Sequence, residues 1–205
     1  MSTKNKLPFF AKLYLHFRPL IIPFDLIEKY VPKKGVIVDV GCGFGIFANY
    51  LASKSENRTV IGIDLNEKRI LLAKKIYSNI MNLKFFCDDI TDSKIPKADI
   101  VTGIDVLHHI PTLELQTKLL KSCFSILSEN GKLILKDVDT KPLWKYWWNK
   151  IHDYLMTKGE PVLYHDKTTI KNLLEKIGFV LEKIIVIKKY PYAHILFISK
   201  KPMSS

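Results

Sequence analysis

The sequence predicts an α/β protein: a doubly wound, mostly parallel seven-stranded sheet whose last strand is antiparallel, with helices on both faces. Three observations predict this fold. Short β-branched and apolar runs alternate with longer helical patterns, as in parallel sheets covered by crossover helices. The first apolar run, residues 36–40, breaks into a glycine-rich turn directly before a helical pattern. Only Lys189-Tyr190-Pro191 separates the last two predicted strands, which favours an antiparallel hairpin there.

Residues 1–33 form a predicted helical lead-in to this sheet. Four apolar residues recur in it at helical spacing beside basic residues: Phe9, Phe10, Leu13 and Phe17. Such a stretch packs on its own domain, covers an active site or lies on a bilayer interface. Residues 24–30 are expected to form a short helix that leads to the turn before the first strand.

The rest of the chain, residues 34–205, is predicted to form one domain. Its β-branched and apolar runs predict strands at residues 36–40, 60–64, 83–87, 100–104, 132–136, 179–188 and 192–199. Its helical periodicity predicts helices at residues 44–54, 67–78, 113–127 and 167–177. Gly178 is expected to end the last of these helices.

The segment 137–166, between the fifth strand and the last helix, exceeds what the sheet requires. One face of its predicted helix carries large apolar residues: Trp144, Trp147, Trp148, Ile151 and Leu155. Because ligands of α/β sheets lie beyond the carboxyl ends of the strands, we expect this insertion to cap the ligand site. Alternatively, the helix packs its aromatic face on the core, or its tryptophans and lysines lie at a membrane interface.

The composition is that of a globular protein of one domain. The chain has 205 residues, of which 47% are hydrophobic and 25% are charged. It contains neither an apolar run of roughly 18 residues nor a signal-peptide pattern, so we expect a cytoplasmic protein or one peripheral to a membrane. Cys42, Cys87 and Cys123 are widely spaced, as expected of free thiols in a reducing compartment.

The formal net charge of +12 is the unusual bulk feature of the chain. A strongly basic protein attracts acidic partners, which are either nucleic acids or anionic membrane surfaces. The excess consists mainly of scattered lysine rather than long basic blocks. A role of this charge in solubility is therefore an equal alternative.

The turn after the first strand carries three alternate glycines, Gly41, Gly43 and Gly45, and the strand ends near Asp39. Glycine lets the backbone approach a ligand closely, and the helix that follows offers free N–H groups to an anionic end. A dinucleotide site needs glycine at the sixth position of the turn, where this chain has Ile46. The Asp39 carboxylate would repel a pyrophosphate and attract an ammonium group. A nicotinamide-dependent dehydrogenase is therefore disfavoured.

Five stretches in this order resemble the motifs of the class I S-adenosylmethionine-dependent methyltransferases, which have a Rossmann-like seven-stranded sheet. They are residues 36–47, 59–65, 83–90, 98–110 and 127–136. The runs 105–109 and 131–136 are similar to those of the members that act on small molecules, quinones and lipids. The resemblance implies a methyltransferase whose cofactor is S-adenosyl-L-methionine.

The resemblance also implies a set of cofactor-binding residues: Asp39, Gly41, Cys42, Gly43, Gly45, Asp64, Leu65, Asp89, Ile90 and Asp105. The glycine turn approaches the cofactor, and Asp39 orders the turn and the amino acid end. Asp64, at the end of the second strand, holds the ribose hydroxyls, the role of this position in nucleotide-binding folds. Asp89, with Asp88 as the second choice, binds the adenine amino group. Leu65 and Ile90 sandwich the adenine ring.

The acceptor side offers several candidate residues. An O-, N- or C-nucleophile needs its proton removed, and His108 or His109, directly after the fourth strand, could act as the general base. Asp137 and Asp139, after the fifth strand, could bind or deprotonate the substrate. Contacts with the acceptor are expected from residues of the cap: Trp144, Trp148, Tyr164 and His165. No metal is expected, because neither His-x-x-x-His nor paired-cysteine spacing occurs.

The acceptor class is narrowed by two motifs that the sequence lacks. The turn after the fourth strand has no Asn/Asp-Pro-Pro-aromatic motif of enzymes that methylate exocyclic amines of bases, and no Pro-Cys of cytosine-C5 enzymes occurs. We therefore expect a small-molecule acceptor, hydrophobic or lipid-like, and peripheral membrane contact. The alternatives are an RNA methyltransferase, with steeply salt-dependent RNA binding, and a catalytically idle module of the same fold that binds a membrane or a partner.

Overall fold

The structure is a computed structural model that describes residues 16–18, 20–91, 95–156 and 159–203. Three residues of the predicted lead-in stripe, Phe9, Phe10 and Leu13, lie outside the described residues, and Phe17 is exposed. The chain divides into two compact units, residues 1–93 and residues 94–205. Among the helices of the described ranges, none is long and apolar enough to cross a membrane.

The first unit contains three helices and three strands. In chain order they are α1 (Phe24–Glu28), β1 (Gly35–Val40), α2 (Ile46–Ser53), β2 (Arg58–Asp64), α3 (Glu67–Ile76) and β3 (Leu83–Cys87). β1 pairs with β2, and β2 pairs with β3, both in parallel. Helices α2 and α3 pack on β2 and β3. The carboxyl ends of the three strands therefore lie along one edge, where the glycine turn begins.

The second unit contains the other four strands. In chain order its elements are β4 (Ala98–Ile104), a 3-10 helix (Leu107–His109), α4 (Leu113–Ile126), β5 (Leu127–Val138), α5 (Leu143–Met156), α6 (Lys167–Ile177), β6 (Val180–Ile187) and β7 (His194–Lys200). β4 and β5 are parallel, whereas β7 is antiparallel to both of its neighbours, β5 and β6. The carboxyl ends of β4 and β5 thus share one edge.

The strand order is β3-β2-β1-β4-β5-β7-β6, which is a seven-stranded, mostly parallel sheet with an antiparallel β7. The predicted fold class is confirmed, and so is the hairpin of β6 and β7. The residues of β7 from Ile195 to Ile198 are all buried, because this strand is paired on both edges and covered on both faces. A continuous apolar run of this kind is typical of an interior strand.

The beginning of β5 differs from the sequence prediction, which placed a turn before a strand at residue 132. The strand begins at Leu127, which pairs with Ala98, and the register shifts before Lys132 pairs with Ile100. Asn130 adopts a φ of 63° within this irregular stretch, a left-handed conformation that asparagine tolerates better than most residues. The predicted turn is therefore a bulge within a longer strand.

The polar interior of the first unit is organised by Arg58, whose side chain is buried at the start of β2. Its guanidinium donates to three carbonyl oxygens, those of Pro32 (2.8 Å), Leu51 (2.9 Å) and Val31 (2.9 Å). It also forms an ion pair with Glu28 at 2.7 Å. Burial raises the pKa of Glu28, but Lys33 and Arg58 outweigh this effect and the pKa is lowered. Arg58 thus joins α1, the turn before β1 and the end of α2.

We predict that Arg58→Met lowers the free energy of unfolding by about 3 kcal/mol or more, because it leaves a carboxylate and three carbonyls without their buried donor. Lys33→Met is the matched control, since Lys33 pairs with the same carboxylate but is largely exposed, and it should cost less than about 1 kcal/mol. Urea denaturation of both variants measures the difference. Equal costs would contradict the structural role of Arg58.

Candidate functional site

The three glycines of the turn after β1 all have left-handed backbone conformations. Their φ angles are 68° at Gly41, 55° at Gly43 and 74° at Gly45. Residues with a Cβ adopt such angles at a cost of about 1–2 kcal/mol. A Cβ at Gly45 would in addition overlap the Phe85 ring of β3. The turn therefore requires glycine both for its backbone shape and for its packing.

The space in front of this turn is open. A Cβ placed on Gly43 would meet no atom within 4 Å, in contrast to Gly45. Helix α2 begins directly after the turn, and its N-cap residue Gly45 has no side chain to cap the helix. The first N–H groups of a helix lack partners within the helix, so they are available to a ligand. The turn thus combines an open approach with hydrogen-bond donors.

The carboxylate of Asp64 lies at the end of β2 beside the turn. Its Oδ2 accepts a hydrogen bond from the Gly43 amide at 2.8 Å, and its Oδ1 accepts one from the Asn66 amide at 2.8 Å. Since a carboxylate has about four acceptor positions, these two bonds leave room for ligand hydroxyl groups. The Cys42 amide donates to the Ile63 carbonyl at 3.0 Å, which fixes the turn to β2.

Acidic side chains surround the thiol of Cys42. Burial and the nearby charges of Asp39 and Asp64 raise the pKa of this thiol well above its ordinary value. Asp39 is buried on β1. The structure therefore brings together Asp39, Cys42 and Asp64, and the protonated thiol adds no negative charge. Two carboxylates near an open glycine turn fit a cofactor that carries a cationic amino acid end and a ribose.

The predicted adenine-binding residues have different surroundings. Leu65 is 73% exposed, whereas Ile90 is buried. Asp89 is half-buried, and its Oδ1 accepts a hydrogen bond from the Thr91 amide at 2.8 Å. Asp88 is exposed and accepts one from the Asp89 amide at 2.9 Å. The exposed Leu65 side chain is free of packing constraints and could cover a flat ring, and Asp89 is the less exposed of the two acids.

In the second unit, Asp105 forms an ion pair with the fully buried Lys136. Its amide donates to the Lys136 carbonyl at 2.9 Å, and its φ is 53°. A strained non-glycine φ persists only where surrounding contacts hold it, and this ion pair is such a contact. Asp105 is thus fixed at the carboxyl end of β4, on the edge where β5 also ends.

His108 and Asp137 form a buried pair at this edge. The distance from His108 Nδ1 to Asp137 Oδ1 is 2.5 Å, and both side chains are almost completely shielded from solvent. The same carboxylate accepts hydrogen bonds from the amides of Leu107 (3.1 Å), His108 (3.3 Å) and Val138 (2.7 Å). Asp137 therefore joins the 3-10 helix to the end of β5 and positions the His108 ring.

Asp153 of α5 lies on the other side of the same ring. Its Oδ2 is 3.6 Å from His108 Nε2, and it accepts a hydrogen bond from the Tyr164 hydroxyl. The rings of His108 and Tyr164 stack with centroids 5.3 Å apart. We call Asp137, His108, Asp153 and Tyr164 the histidine network. Both ring nitrogens of His108 face carboxylates within this network.

The network changes the titration of its members. Burial lowers the pKa of His108, but the charge and hydrogen bond of Asp137 and the charges of Asp105 and Asp153 outweigh it, so the pKa is raised. Burial raises the pKa of Asp153, but hydrogen bonds and the charge of His108 outweigh it, so the pKa is lowered. Burial and Asp153 raise the pKa of Tyr164. The network therefore favours the charged form of His108 and the charged form of Asp153 more than water does.

His109 behaves in the opposite way. Its side chain reaches solvent, and its ring centroid lies 4.2 Å from that of His108. The protein around the rest of the ring disfavours the charged form, and His108 adds repulsion, so the pKa of His109 falls to about 4. His109 is therefore neutral in neutral solution, whereas the surroundings of His108 favour its protonated form.

The other predicted acceptor residues take mainly structural positions. Asp139 is buried and accepts a hydrogen bond from the Thr140 amide at 2.7 Å. His165 Nε2 lies 2.8 Å from Gln116 Oε1. Asp166, next to His165, caps α6 through the Thr169 amide. Within the described ranges, no group of three or more His, Cys, Asp or Glu is arranged to hold a metal ion.

Helix α5 does not follow the alternative in which its aromatic face packs on the core. Trp144 and Trp148 are 62% and 51% exposed, whereas the polar residues Lys145, Asn149 and Asp153 are buried. That alternative is therefore wrong, and the cap over the acceptor stays a prediction. The physical reason is that the three polar side chains find hydrogen-bond partners inside the unit, which offset the cost of burying them.

The sequence prediction does not single out Asp153 or Gln116. Gln116 is buried, and its Nε2 donates to the carbonyls of Leu107 (3.1 Å), Ile110 (3.1 Å) and Leu163 (3.3 Å). No spacing in the sequence indicates this role. A sequence signal exists for Asp153, because Lys145, Asn149 and Asp153 recur every four positions, which places them on one helical face.

Comparisons with known proteins agree with this geometry. A profile of the methyltransferase domain family matches residues 14–184, which is most of the chain. The ubiquinone biosynthesis O-methyltransferase of Coxiella burnetii is 30% identical over 126 residues, covering 58% of this chain and 52% of that protein. The chain thus spans about half the length of the curated relative that it matches.

Solved structures share the fold. A SAM-dependent methyltransferase of Methanosarcina mazei superimposes with a TM-score of 0.71 at 20% identity, covering 90% of this chain and 99% of that chain. The magnesium protoporphyrin IX methyltransferase of Synechocystis PCC 6803 was solved with bound SAH. It superimposes with a TM-score of 0.71 at 22% identity, covering 96% of this chain and 89% of that chain. At these low sequence identities, the similarity shows a shared fold and no more.

We predict that alanine has different effects at Gly43 and at Gly45. Gly45→Ala should lower the free energy of unfolding by about 3 kcal/mol, because it combines a left-handed φ with overlap on the Phe85 ring. Gly43→Ala should cost only about 1 kcal/mol, for its φ alone, yet weaken cofactor binding. Thermal denaturation and calorimetric titration with S-adenosylmethionine measure the two effects. A larger stability loss at Gly43 would contradict the prediction.

We predict that His108→Gln destabilises the protein by about 3 kcal/mol in a pH-dependent way. A raised folded-state pKa contributes stability that is complete below the unfolded pKa of about 6.5 and is lost as pH rises through the folded pKa. The lowered pKa of Asp153 contributes stability above about pH 4, which is lost on acidification. The cost of the substitution should therefore be largest between these limits.

Urea denaturation at pH 6 and pH 9 checks this expectation, with a greater loss of stability in His108→Gln expected at the lower of the two values. His16→Gln, at an exposed histidine, serves as the control and should change the stability little. A cost of His108→Gln that is constant over this pH interval would show that the histidine network does not hold a charged imidazole.

Proposed function

Because the chain belongs to the methyltransferase domain family and S-adenosylmethionine is the cofactor of that family, we propose that it methylates a small, hydrophobic or lipid-like acceptor. The cofactor supplies a methyl group on a positively charged sulfonium. The residues of the chain then have to bind the two substrates, exclude water and accept a proton. Holding the reactants in a near-attack geometry can supply about 7–11 kcal/mol of the barrier reduction.

The cofactor is assigned to the first unit on the observation that a substituent at Gly43 would enter open space. The turn around Gly43 would lie against the amino acid end, near Asp39. Asp64 retains acceptor positions for the ribose hydroxyls, and Asp89 would meet the adenine amino group. Leu65, which is exposed, would cover one side of the adenine ring.

A row of rings in the second unit carries the proposal of a hydrophobic acceptor. From His109 it passes through His108, Tyr164 and Tyr146 to Trp147, with successive ring centroids 4.2, 5.3, 5.5 and 5.6 Å apart. Flat aromatic surfaces favour a planar apolar molecule. The similarity to a ubiquinone biosynthesis O-methyltransferase supports the same class of acceptor. In this proposal, residues 137–166 cover the acceptor.

We assign the general base to His109. The assignment rests on position, since its side chain reaches solvent directly beside the turn after β4. Its low pKa keeps the imidazole unprotonated at neutral pH, although it also makes His109 a weaker base than an ordinary histidine. His108 is buried between Asp137 and Asp153, which favour its charged form, so its role is to position the neighbouring ring. Asp137 acts through His108 in the same way. Asp105, held by Lys136, belongs to the cofactor-binding set.

A second candidate function, methylation of RNA, is favoured by the net charge of +12. Binding through lysines and phosphates would weaken steeply with salt because counterions are released. The two candidates differ in the solubility of the methylated product. They can therefore be separated in one experiment.

We predict that label from methyl-labelled S-adenosylmethionine, incubated with the protein and an extract of source cells, enters the organic phase on partition. Gly43→Arg is the inactive control, because its side chain would fill the open space before the turn. His109→Gln should lower the rate about one hundredfold with cofactor affinity unchanged. Label that stays in the aqueous phase and disappears after nuclease treatment would support RNA and overturn the hydrophobic acceptor.

A further inference from the structure

The outer face of α5 presents a large apolar surface to solvent. Each of its residues is at least 51% exposed. We call these residues the α5 apolar face: Leu143, Trp144, Trp147, Trp148, Ile151, Tyr154 and Leu155. Isolated exposed apolar residues are common, but a contiguous patch of this kind marks an interaction site. All three tryptophans of the chain lie on it.

The opposite face of α5 is fixed to the second unit by polar contacts. Lys145 Nζ donates to the Lys188 carbonyl at 3.0 Å and also to the Tyr190 carbonyl. Asn149 Oδ1 accepts a hydrogen bond from the Ala193 amide at 2.9 Å. Rotating the helix to bury its apolar face would break these bonds and expose the carbonyls that they satisfy. The exposure of the α5 apolar face is therefore built into the packing of the helix.

The charges around this face are positive. Residues 140–152 and 183–193 contain no acidic residue, and Asp153, the one acid of α5, is buried. Lys150 is exposed on the helix, with its Nζ 5.3 Å from the centroid of the Trp147 ring. Lys188 and Lys189 are exposed on the connection that binds Lys145. The surface thus combines aromatic rings with an exposed lysine beside them, and the neighbouring segments carry no exposed acid.

We propose that the α5 apolar face docks on the surface of an anionic lipid bilayer. Tryptophan and tyrosine lie at the depth of the lipid headgroups, because their rings have an apolar part that contacts the acyl chains and a polar group that contacts water. Exposed lysines are attracted by the negative charge of anionic headgroups. The helix has 14 residues and a length of ~21 Å, so it would lie in the interface plane.

A bilayer fits these features better than a protein partner does. Protein interfaces are depleted of lysine at their centres, because a mobile ammonium loses hydration and entropy there. Lysines beside tryptophans are favourable at a membrane interface, where the ammonium groups reach the headgroups. The surface shares Trp147 with the row of rings proposed for the acceptor. Because vesicle binding is measured without an acceptor, failure of this inference can be told apart from failure of the proposed function.

The test uses the full chain and vesicles of phosphatidylcholine and phosphatidylglycerol in equal parts. Wild-type protein should sediment with these vesicles, and its tryptophan emission should shift to shorter wavelength. Trp144→Ser/Trp147→Ser/Trp148→Ser should lower the partition coefficient about tenfold or more. These residues are exposed, so circular dichroism of this variant should match the wild type.

Two further variants make the test specific. Leu71→Ser/Met81→Ser/Met203→Ser removes three exposed apolar residues elsewhere on the chain and should leave vesicle binding unchanged. Lys150→Glu/Lys188→Glu/Lys189→Glu should weaken binding to the anionic vesicles, and wild-type binding to pure phosphatidylcholine should be weaker by about tenfold.

Several outcomes would overturn the proposal. One is a tryptophan variant that binds vesicles as well as the wild type does. Another is light scattering that shows a dimer whose tryptophans are shielded without lipid, because the occupant would then be a second copy. A third is a wild-type monomer whose tryptophans are shielded in the absence of lipid, because the face would then not be free to dock.

Discussion

The arrangement of the second unit depends on one buried polar contact, the imidazole of His108 between the carboxylates of Asp137 and Asp153. A buried charge that loses its partner costs several kcal/mol, so the groups that surround it must stay in place. Asp137 brings the end of β5 to the turn after β4, and Asp153 brings α5 to the same ring. Tyr164 then joins residues 159–166 to the network through Asp153. Four separate stretches of the chain are positioned by one ring.

The orientation of α5 follows from this network. Asp153 can reach His108 only if the polar stripe of the helix points inward, and Lys145 and Asn149 find partners on the same side. The tryptophans are consequently directed to solvent. Burial of aromatic area is usually the stronger force, at about 25 cal/mol per Å². Here the polar contacts fix the helix, and the apolar face remains available for a membrane or an apolar ligand.

The first unit is governed by a steric constraint instead. The glycine turn lies so close to Phe85 that a Cβ at Gly45 has no space, whereas the position of Gly43 opens outward. The same backbone shape therefore packs against the sheet on one side and leaves open space on the other. Arg58, far from this turn, holds the opposite end of the strands through four buried acceptors. A rigid base and an open edge together suit a binding site.

The sequence by itself determined the alternation of strands and helices and the glycine turn with Asp39 and Asp64, because these depend on local periodicity and spacing. The family was indicated by the resemblance of its motifs to those of known methyltransferases. Local patterns define the two faces of an amphipathic helix, but they do not say which face is buried. For α5 that choice depends on the contact of Asp153 with His108, which are 45 positions apart in the sequence. The adjacent His108 and His109 are chemically equal in the sequence, and only tertiary burial and charge raise the pKa of one and lower the pKa of the other. Tertiary structure decided these features because they arise from contacts between distant segments.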